Sequence, residues 1–285
     1  MKRPLFFSLL WLFTHSAWAS QPLALLPVID SSANIPRPLV EDMLAQAFTG
    51  THQFSLVQPA QAPSPLDQLR TPPAKLLDAN PATVTSIGRQ AGASMVALMS
   101  LDQYIYTTKV SKFNEVTFPG SNEIMYYRTT GFAYHAQLTL NVKLANVKTG
   151  RIAQSFDIKS NCENGFTNDA VECSLELLQD KLKRELKTHY PTVAHIVKAK
   201  SDTEYILDIG AGEGIEIDDK MTVFNEGKNG AARSVLGEGV ITQLSGDIAV
   251  LKVSQLNGPI ELGKTKVESH PPEKSRREKY NDGES

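Results

Sequence analysis

The spacing of hydrophobic positions along the chain changes near residue 190. Before that point, apolar residues recur in turn at strand and at helix spacing, whereas after it they form short runs separated by Gly, Asn and Asp. Helical stripes between strands predict helices packed on a sheet, and short runs between turn residues predict an all-β unit. We therefore expect an α+β or α/β unit at 20–190, built on a mixed sheet, and a small β-barrel at 191–268.

The first unit is predicted to begin with a strand, a helix and a second strand. Pro22–Ile29 is an apolar run typical of a buried strand. A helix is expected over Pro38–Phe48, with Gly50 as its stop, and a short strand at 54–57. The apolar face of that helix would hold Leu39, Met43, Leu44 and Ala47. Five prolines at 59–73 predict a surface loop.

A second helix and a central strand are predicted next. Asn80 and Pro81 are residue types preferred at an N-cap and at the first helical position, and Gly92 is a helix stop. Met95–Met99 is apolar at every position, which is typical of a strand covered on both faces. Residues 111–130 are polar and rich in turn formers, so we expect a loop there.

A strand pair and a third helix complete the first unit. Leu138–Leu144 alternates apolar and polar residues, Lys148–Gly150 is predicted to turn, and Ile152–Ile158 to return as the partner strand. After a loop that would hold both cysteines, a helical stripe ends in basic residues, which suits the helix dipole. The stripe consists of Val171, Leu175, Leu178, Leu182 and Leu186.

The remainder of the chain is predicted to form a barrel and a tail. Short apolar runs lie at 195–197, 205–209, 221–224, 240–241 and 248–253. Their number and spacing indicate a barrel of five or six strands. Residues 269–285 are polar and charged, so we expect them to be disordered.

The amino terminus has the three parts of a secretory signal peptide. A basic start is followed by the apolar run Leu5–Phe13 and by Ala17-Trp18-Ala19, with small residues at the positions that signal peptidase reads. We expect cleavage between Ala19 and Ser20. No Cys lies beside the cleavage point, so we expect an unanchored periplasmic protein, secreted across the inner membrane of a bacterium.

The charge balance excludes some functions. The formal charge is −2 and becomes more negative once Lys2 and Arg3 are removed with the leader. A nucleic-acid binder or a polybasic membrane-surface protein would be basic. No later segment has the ~20 consecutive apolar residues of a membrane span.

Cys162 and Cys173 are the two cysteines of the chain. In an oxidising compartment an isolated pair indicates a disulfide. A catalytic thiol and a metal site are the alternatives. No His is close in sequence to serve as a base, and the segment lacks further zinc ligands at the right spacing.

One segment, Tyr205–Gly214 (YILDIGAGEG), resembles the first motif of S-adenosylmethionine methyltransferases. That motif requires a helix after the glycines and a doubly wound sheet. Residues 215–224 are typical of extended chain instead, and about seventy residues remain. We therefore interpret the segment as a turn between barrel strands, with Gly210, Gly212 and Gly214 at positive φ.

Other chemical motifs are absent from the sequence. It contains neither HExxH nor GxSxG. The histidines of the mature chain, at 52, 135, 189, 195 and 270, are scattered and predicted to be surface or packing residues. Asp208, Glu213, Asp218 and Asp219 are candidate Ca²⁺ ligands, although without EF-hand spacing, and a solvated acidic face is the alternative. We expect no catalytic residue, no cofactor and no metal.

Aromatic residues are concentrated around residues 104–134. They are Tyr104, Tyr106, Phe113, Tyr126, Tyr127, Phe132 and Tyr134. Such a cluster either packs between strands or forms a platform for sugar rings. We interpret it as strand packing.

Short motifs in both units resemble known families. LANVKTGRIAQSF (144–156), IGRQAGASMVALMSL (87–101) and PLALLPVID are similar to the strand and turn steps of CsgG/TolB N-terminal-like periplasmic domains, with Asn146 where Asp is usual. LDIGAGEGIEIDDKMTVFNEG resembles the small β-domain of the flagellar assembly protein T family, with Asp218-Asp219 in place of Gly-Asp. That family has a further N-terminal domain, whereas this chain begins with the middle-type domain.

The resemblance implies a non-enzymatic assembly protein of the flagellar basal-body outer ring. Its partners would be other envelope or basal-body proteins, and it would form a homo-oligomeric ring or dock on a neighbour. The alternatives are an accessory factor of another envelope or secretion complex and a small-ligand or carbohydrate binding module. A pore of the CsgG type would be a lipoprotein with paired membrane-inserting strands, which we do not find in the sequence.

Overall fold

The computed structural model describes residues 20–30, 35–57, 80–117, 124–226, 232–271, 273–274 and 278–279. The predicted signal peptide and the proline-rich loop at 59–73 lie outside the described residues.

Among the described residues, a six-stranded mixed sheet and three helices form the first part of the chain. The strands are β1 (Gln21–Leu25), β2 (Ile29–Asp30), β3 (Phe54–Leu56), β4 (Met95–Thr117), β5 (Ile124–Asn146) and β6 (Ile152–Asn164), and the helices are α1 (Arg37–Thr49), α2 (Pro81–Ala91) and α3 (Thr167–His189). The spatial order is β3-β1-β4-β5-β6, with β2 also beside β4. Pairs among β1, β2, β3 and β4 are parallel, and β4-β5-β6 is antiparallel.

Helices cover both faces of this sheet, as the sequence pattern predicts. Alternate residues of β5 from Leu138 to Leu144 face α1 and α3 in the larger core, together with Phe48 and Leu178. On the other face, α2 contributes Val84 and Ile87 to a smaller core. The predicted fold class is therefore confirmed.

The helix boundaries follow local chemistry. The side chain of Asn80 accepts a hydrogen bond from the backbone N–H of Ala82 at 3.0 Å, and Gly92 ends α2 at φ 69°. The face predicted for α1 is wrong at one position: Leu39 is 44% exposed, and its neighbour Val40 is buried instead. The α1 core face therefore runs through positions 40, 43, 44, 47 and 48.

The second part of the chain is a closed barrel in the order β10-β11-β8-β7-β12-β9. The strands are β7 (Val193–Ala199), β8 (Glu204–Leu207), β9 (Lys220–Asn225), β10 (Ser234–Leu244), β11 (Ala249–Leu256) and β12 (Lys266–Ser269). Inward residues such as Ile196, Leu207 and Val223 form its own core. The predicted five or six strands are confirmed, and β12 is the strand for which the sequence shows no long apolar run.

The glycine-rich segment lies between β8 and β9, as the turn interpretation requires. A single 3₁₀ turn (Ala211–Glu213) follows β8, and no α-helix follows the glycines before β9. The prediction of three positive φ angles is wrong, because only Gly214 has one, at 78°. Gly210 instead allows two backbone segments to approach each other closely, because a Cβ there would lie 2.3 Å from the carbonyl oxygen of Gly246.

The predicted disulfide is present, with an S–S distance of 2.04 Å. The cysteines do not lie in a loop, because Cys162 is in β6 and Cys173 in α3. The bond therefore ties the edge strand of the sheet to the start of the longest helix. Closing so short a loop stabilises the fold by roughly 3 kcal/mol in the chain-entropy model.

Two predictions of irregular chain are wrong where the structure describes them. Within 111–130, the residues up to Thr117 continue β4 and those from Ile124 belong to β5. In the tail, Ser269 ends β12. Glu278 is only 3% exposed, and its carboxylate pairs with Arg184 of α3. Local polarity suggests a loop in both cases, but strand pairing and a buried ion pair override it.

Candidate functional site

A two-stranded ribbon projects from the mixed sheet. The ladder of β4 and β5 runs without a register shift from Met95 opposite Asn146 to Thr117 opposite Ile124. The next strand, β6, accompanies β5 only as far as Tyr134. Thr108–Thr117 and Ile124–Ala133 therefore form ten pairs of residues beyond the sheet, about 33 Å long at ~3.3 Å per residue. We call these residues the ribbon.

The residue types of the ribbon explain why polar sequence forms strands here. Its threonines and Val110 are β-branched and favour extended backbone. Side chains also bond across the two strands: Asn114 Nδ2 donates to Thr129 Oγ1 at 2.8 Å, and Arg128 donates to Ser111 Oγ at 2.9 Å. The first bond lies on one face of the ribbon and the second on the other.

One face of the ribbon carries exposed apolar side chains. Ile124, Tyr126 and Phe132 are 49%, 64% and 61% exposed. Because they occupy even-numbered positions of β5, they lie on the same face of the strand as Leu138 and Leu140, which are buried in the larger core. We call Ile124, Tyr126 and Phe132 the aromatic face. Among the described residues, nothing buries these three side chains as the side chains of the core are buried.

The opposite face has a cluster of rings where the ribbon leaves the sheet. The ring of Tyr106 stacks on that of His135 with centroids 4.5 Å apart, and Tyr104 lies 5.2 Å from Tyr106. His135 Nε2 is 2.8 Å from Thr108 Oγ1. On the other side of the imidazole, Nδ1 lies 3.9 Å from a carboxylate oxygen of Glu163 in β6. This Tyr–His cluster anchors the base of the ribbon to three strands.

The structure corrects the interpretation of the aromatic residues as strand packing. Tyr104, Tyr126 and Phe132 are each more than 60% exposed, so their rings do not fill a core. Tyr106 and Tyr134 are half-buried. The side chains of Phe113 and Tyr127 lie outside the described residues. The sequence signal was present as an unusual density of aromatics, but alternation alone does not show whether a strand has a neighbour.

The described residues around the cavity between the first unit and the barrel do not form a catalytic arrangement. A cavity of about 430 Å³ between the first unit and the barrel is lined by Ser20, His52, Tyr190, Asp208 and Glu213, among others. Burial raises the pKa of the Tyr190 hydroxyl, so this group stays protonated at neutral pH. Both carboxylates have structural partners. Asp208 accepts from the backbone N–H and lies 3.1 Å from the ring of His195, and Glu213 accepts from the backbone N–H of Gly210.

The candidate calcium ligands are likewise spread over separate local contacts. Asp219 accepts from the backbone N–H of Glu216 at 2.8 Å, and Asp218 adopts a positive φ in the same turn. Within the described ranges, no three His, Cys, Asp or Glu side chains are placed to hold a metal ion. Asp208 and Asp218 are exposed, which fits the alternative prediction of a solvated acidic face. The bond from Asp219 to the backbone also stabilises the turn.

The predicted histidines also have local partners. His195 pairs with Asp208, and His270 with Thr222. His189 lies 3.9 Å from Glu185 one helical turn away, with its ring beside Phe156.

In the part of the chain that the structure describes, no helix combines the length and the apolar character that a membrane span needs.

Comparison with known proteins gives only distant similarity. No family model matches the chain, and no curated protein does. Among solved structures, the chain is similar to the LpoB C-terminal domain from Salmonella enterica (20% identity over 50% of this chain and 82% of that one, TM-score 0.29). It is also similar to the lipoprotein GNA1162 from Neisseria meningitidis, with 9% identity over 58% of this chain and 97% of that one and a TM-score of 0.34. A third similar structure is the hypothetical protein CT253 from Chlamydia trachomatis, with 11% identity over 59% of this chain and 94% of that one and a TM-score of 0.31. At these TM-scores the likeness carries no conclusion about function.

Proposed function

We propose that the chain is a non-enzymatic periplasmic assembly protein that acts through protein–protein contacts made by the ribbon. The observation that carries the proposal is the exposure of Phe132 and Tyr126 on a ribbon that the rest of the sheet does not support. A two-stranded ribbon alone is marginally stable in water, and a third strand or an apolar partner stabilises it. Exposed aromatic residues are also typical of the centres of protein interfaces.

The envelope location is supported by two features of the chain. The sequence begins with the three parts of a signal peptide. The Cys162–Cys173 disulfide suits an oxidising compartment such as the periplasm.

The flagellar basal-body ring is the specific assembly that we propose. It rests on the resemblance of 144–156 and of the barrel segment that begins at Leu207. In the structure, the first segment is the β5–β6 turn, in which the Asn146 side chain accepts from the backbone N–H groups of Lys148 and Thr149. Asn therefore makes the turn that Asp would make, so this departure from the pattern does not weaken it. Another envelope or secretion complex is the alternative assembly.

A glycan-binding role is the second candidate, because Tyr104 is exposed beside Tyr106. Two tilted rings 5.2 Å apart offer a surface on which sugar rings stack. Sedimentation with purified peptidoglycan would test this role. If the chain binds and a Tyr104→Ala variant does not, glycan binding is supported, and absence of wild-type binding rejects it.

The proposed function is tested with the ribbon double variant Phe132→Ser/Tyr126→Ser and the barrel control Leu262→Ser. Leu262 is 54% exposed and lies outside the ribbon. If the proposal holds, the wild type and the Leu262→Ser control co-purify with an envelope complex and the ribbon variant does not. For the flagellar version, the complex is the hook-basal body and the deletion strain swims poorly. Normal swimming with no chain in purified basal bodies would reject that version.

A further inference from the structure

Among the described residues, no strand lies beside one edge of the ribbon. On the side of β4 away from β5, the pairing with β1 and β2 ends at Leu101. Among the described residues, no strand pairs with this side of β4 from Tyr104 to Thr117, a length of 14 residues. Every second residue there directs its backbone N–H and C=O outward, which is the template for adding a strand.

The other two edges of the sheet are protected, which makes this one distinctive. The edge strand β3 has only three residues. Along β6, the ammonium group of Lys181 in α3 donates to the edge carbonyl of Lys159 at 3.0 Å. Short edge strands and lysines are common devices against edge-to-edge pairing, as are proline and bulges. From Tyr104 to Thr117, β4 has no proline, no glycine and no register shift. It does carry Lys109 and Lys112, which limit the registers in which a second strand can pair with it.

We propose that the free edge of β4 pairs with the same edge of a second copy of this chain, in an antiparallel arrangement about a two-fold axis. Two ribbons would then form a four-stranded sheet in the order β5-β4-β4-β5, which exceeds the three strands that independent stability requires. Identical edges are self-complementary in a two-fold interface. The occupant of the edge must be an extended strand, because only backbone groups in that geometry match it.

The charges of β4 restrict the register. A two-fold axis perpendicular to the sheet places residues of the same face opposite each other. Centring on Lys109 or on Lys112 would set two ammonium groups opposite each other, which is unfavourable. Centring on Val110 places Lys109 opposite Ser111 and Lys112 opposite Thr108, and overlaps nearly the whole free edge. The register centred on Val110 therefore satisfies both the backbone and the charges.

Such a dimer would also extend the aromatic face. The two-fold axis keeps equivalent faces on the same side, so Phe132 and Tyr126 of both copies would share one surface. In this respect the inference rests on the proposed function, since the doubled surface is the one that contacts the partner. The dimer itself requires only the chain.

The test uses purified mature protein carrying Val110→Cys. Both natural cysteines are in the disulfide, so the new thiol is the single free one. At the two-fold centre the two thiols would lie opposite each other, about 5 Å apart at Cβ, and a short bis-thiol reagent would join them. The matched control is Thr130→Cys, which is exposed on β5. In the proposed register it would lie three strand spacings across and two residues along from its copy, more than about 14 Å away.

We expect a covalent dimer from Val110→Cys and little from Thr130→Cys. Sedimentation should show a concentration-dependent dimer for the wild type and a monomer for Val110→Lys, which sets two charges opposite each other. A wild-type chain that is monomeric at every concentration would overturn the inference. Efficient cross-linking only in a mixture of the Val110→Cys and Thr130→Cys variants would overturn it too, because β4 would then pair with β5. A monomeric wild type would overturn the dimer without affecting the proposed contact with a partner protein. Co-purification of the ribbon variant tests that contact separately.

Discussion

The ring of Tyr106 in β4 lies flat on the imidazole of His135 in β5, with an interplanar angle of 5°. The contact sits at the base of the ribbon, where β6 ends its pairing with β5. Below it both strands have neighbours on their outer sides or helices on their faces. Above it, the described residues give each strand no paired neighbour except the other. The stack therefore joins the ribbon to the rest of the fold.

Replacing His135 by Ala should loosen this base. The variant loses the stack on Tyr106 and the hydrogen bond to Thr108, so we expect a lower free energy of unfolding by about 1–2 kcal/mol. His135→Phe keeps a ring and loses the hydrogen bond, and should recover part of the loss. Urea unfolding measures both variants. An unchanged midpoint for His135→Ala would show that the cluster does not contribute to stability.

The glycines of the barrel turn provide a matched pair of variants. At Gly214, φ is 78° and a Cβ would lie 2.7 Å from the carbonyl oxygen of Thr51, so Gly214→Ala should lower the free energy of unfolding by more than about 1 kcal/mol. At Gly212 a Cβ meets nothing within 4 Å, and Gly212→Ala should be near neutral. Equal midpoints for the two in thermal unfolding would contradict the packing of this turn against the first unit.

The buried ion pair of the tail predicts a difference between two glutamates. Glu278 pairs with Arg184 where both side chains are largely buried, whereas the Glu273–Lys220 pair is exposed. Glu278→Gln should lower the free energy of unfolding by about 1–3 kcal/mol and speed proteolysis of the tail. Glu273→Gln should change stability by less than about 1 kcal/mol. If a protease cleaved the tail of each variant at the wild-type rate, the ion pair of Glu278 would not hold the tail in place.

Asp180 on α3 should make stability depend on pH in the acid range. Partial burial raises the pKa of its carboxyl above 3.8, Lys183 lowers it, and Glu278 and Glu176 raise it further. A raised pKa means that the folded chain holds this proton more tightly than the unfolded chain. The cost of ionising Asp180 is therefore absent below 3.8, grows as the pH rises through the folded pKa, and is complete at neutral pH.

Asp180→Asn should consequently be more stable than the wild type at pH 7 and no more stable well below pH 3.8. Urea unfolding across that range measures the difference. A benefit that is the same at both pH values would show that ionisation of Asp180 is not its source.

Much of the fold could be predicted because its signals are local. Asn80 caps α2, and the alternation of Leu138–Leu144 marks a strand with one buried face. The disulfide followed from the compartment that the leader implies. These features depend on a few neighbouring residues, and their physical causes act in any tertiary context.

The ribbon could not be predicted, because its residues lack the pattern that burial imposes. In residues 111–117 polar and apolar positions do not alternate, and pairing with β5 makes them a strand. Glu278 was missed for a related reason: its partner Arg184 is 94 positions away and nothing local marks it. Long-range pairing decides both, and the candidate site is the part of the molecule that depends on it most.

The central claim is that the aromatic face is the contact surface, and photo-cross-linking in living cells tests it most directly. A photoreactive phenylalanine analogue would replace Phe132 in one strain and Leu262 in a control strain, both exposed in the isolated chain. We predict a cross-linked product with an envelope protein, or with a second copy of the chain, at position 132 and little at position 262. Products of equal yield at the two positions, or none at position 132, would contradict the claim.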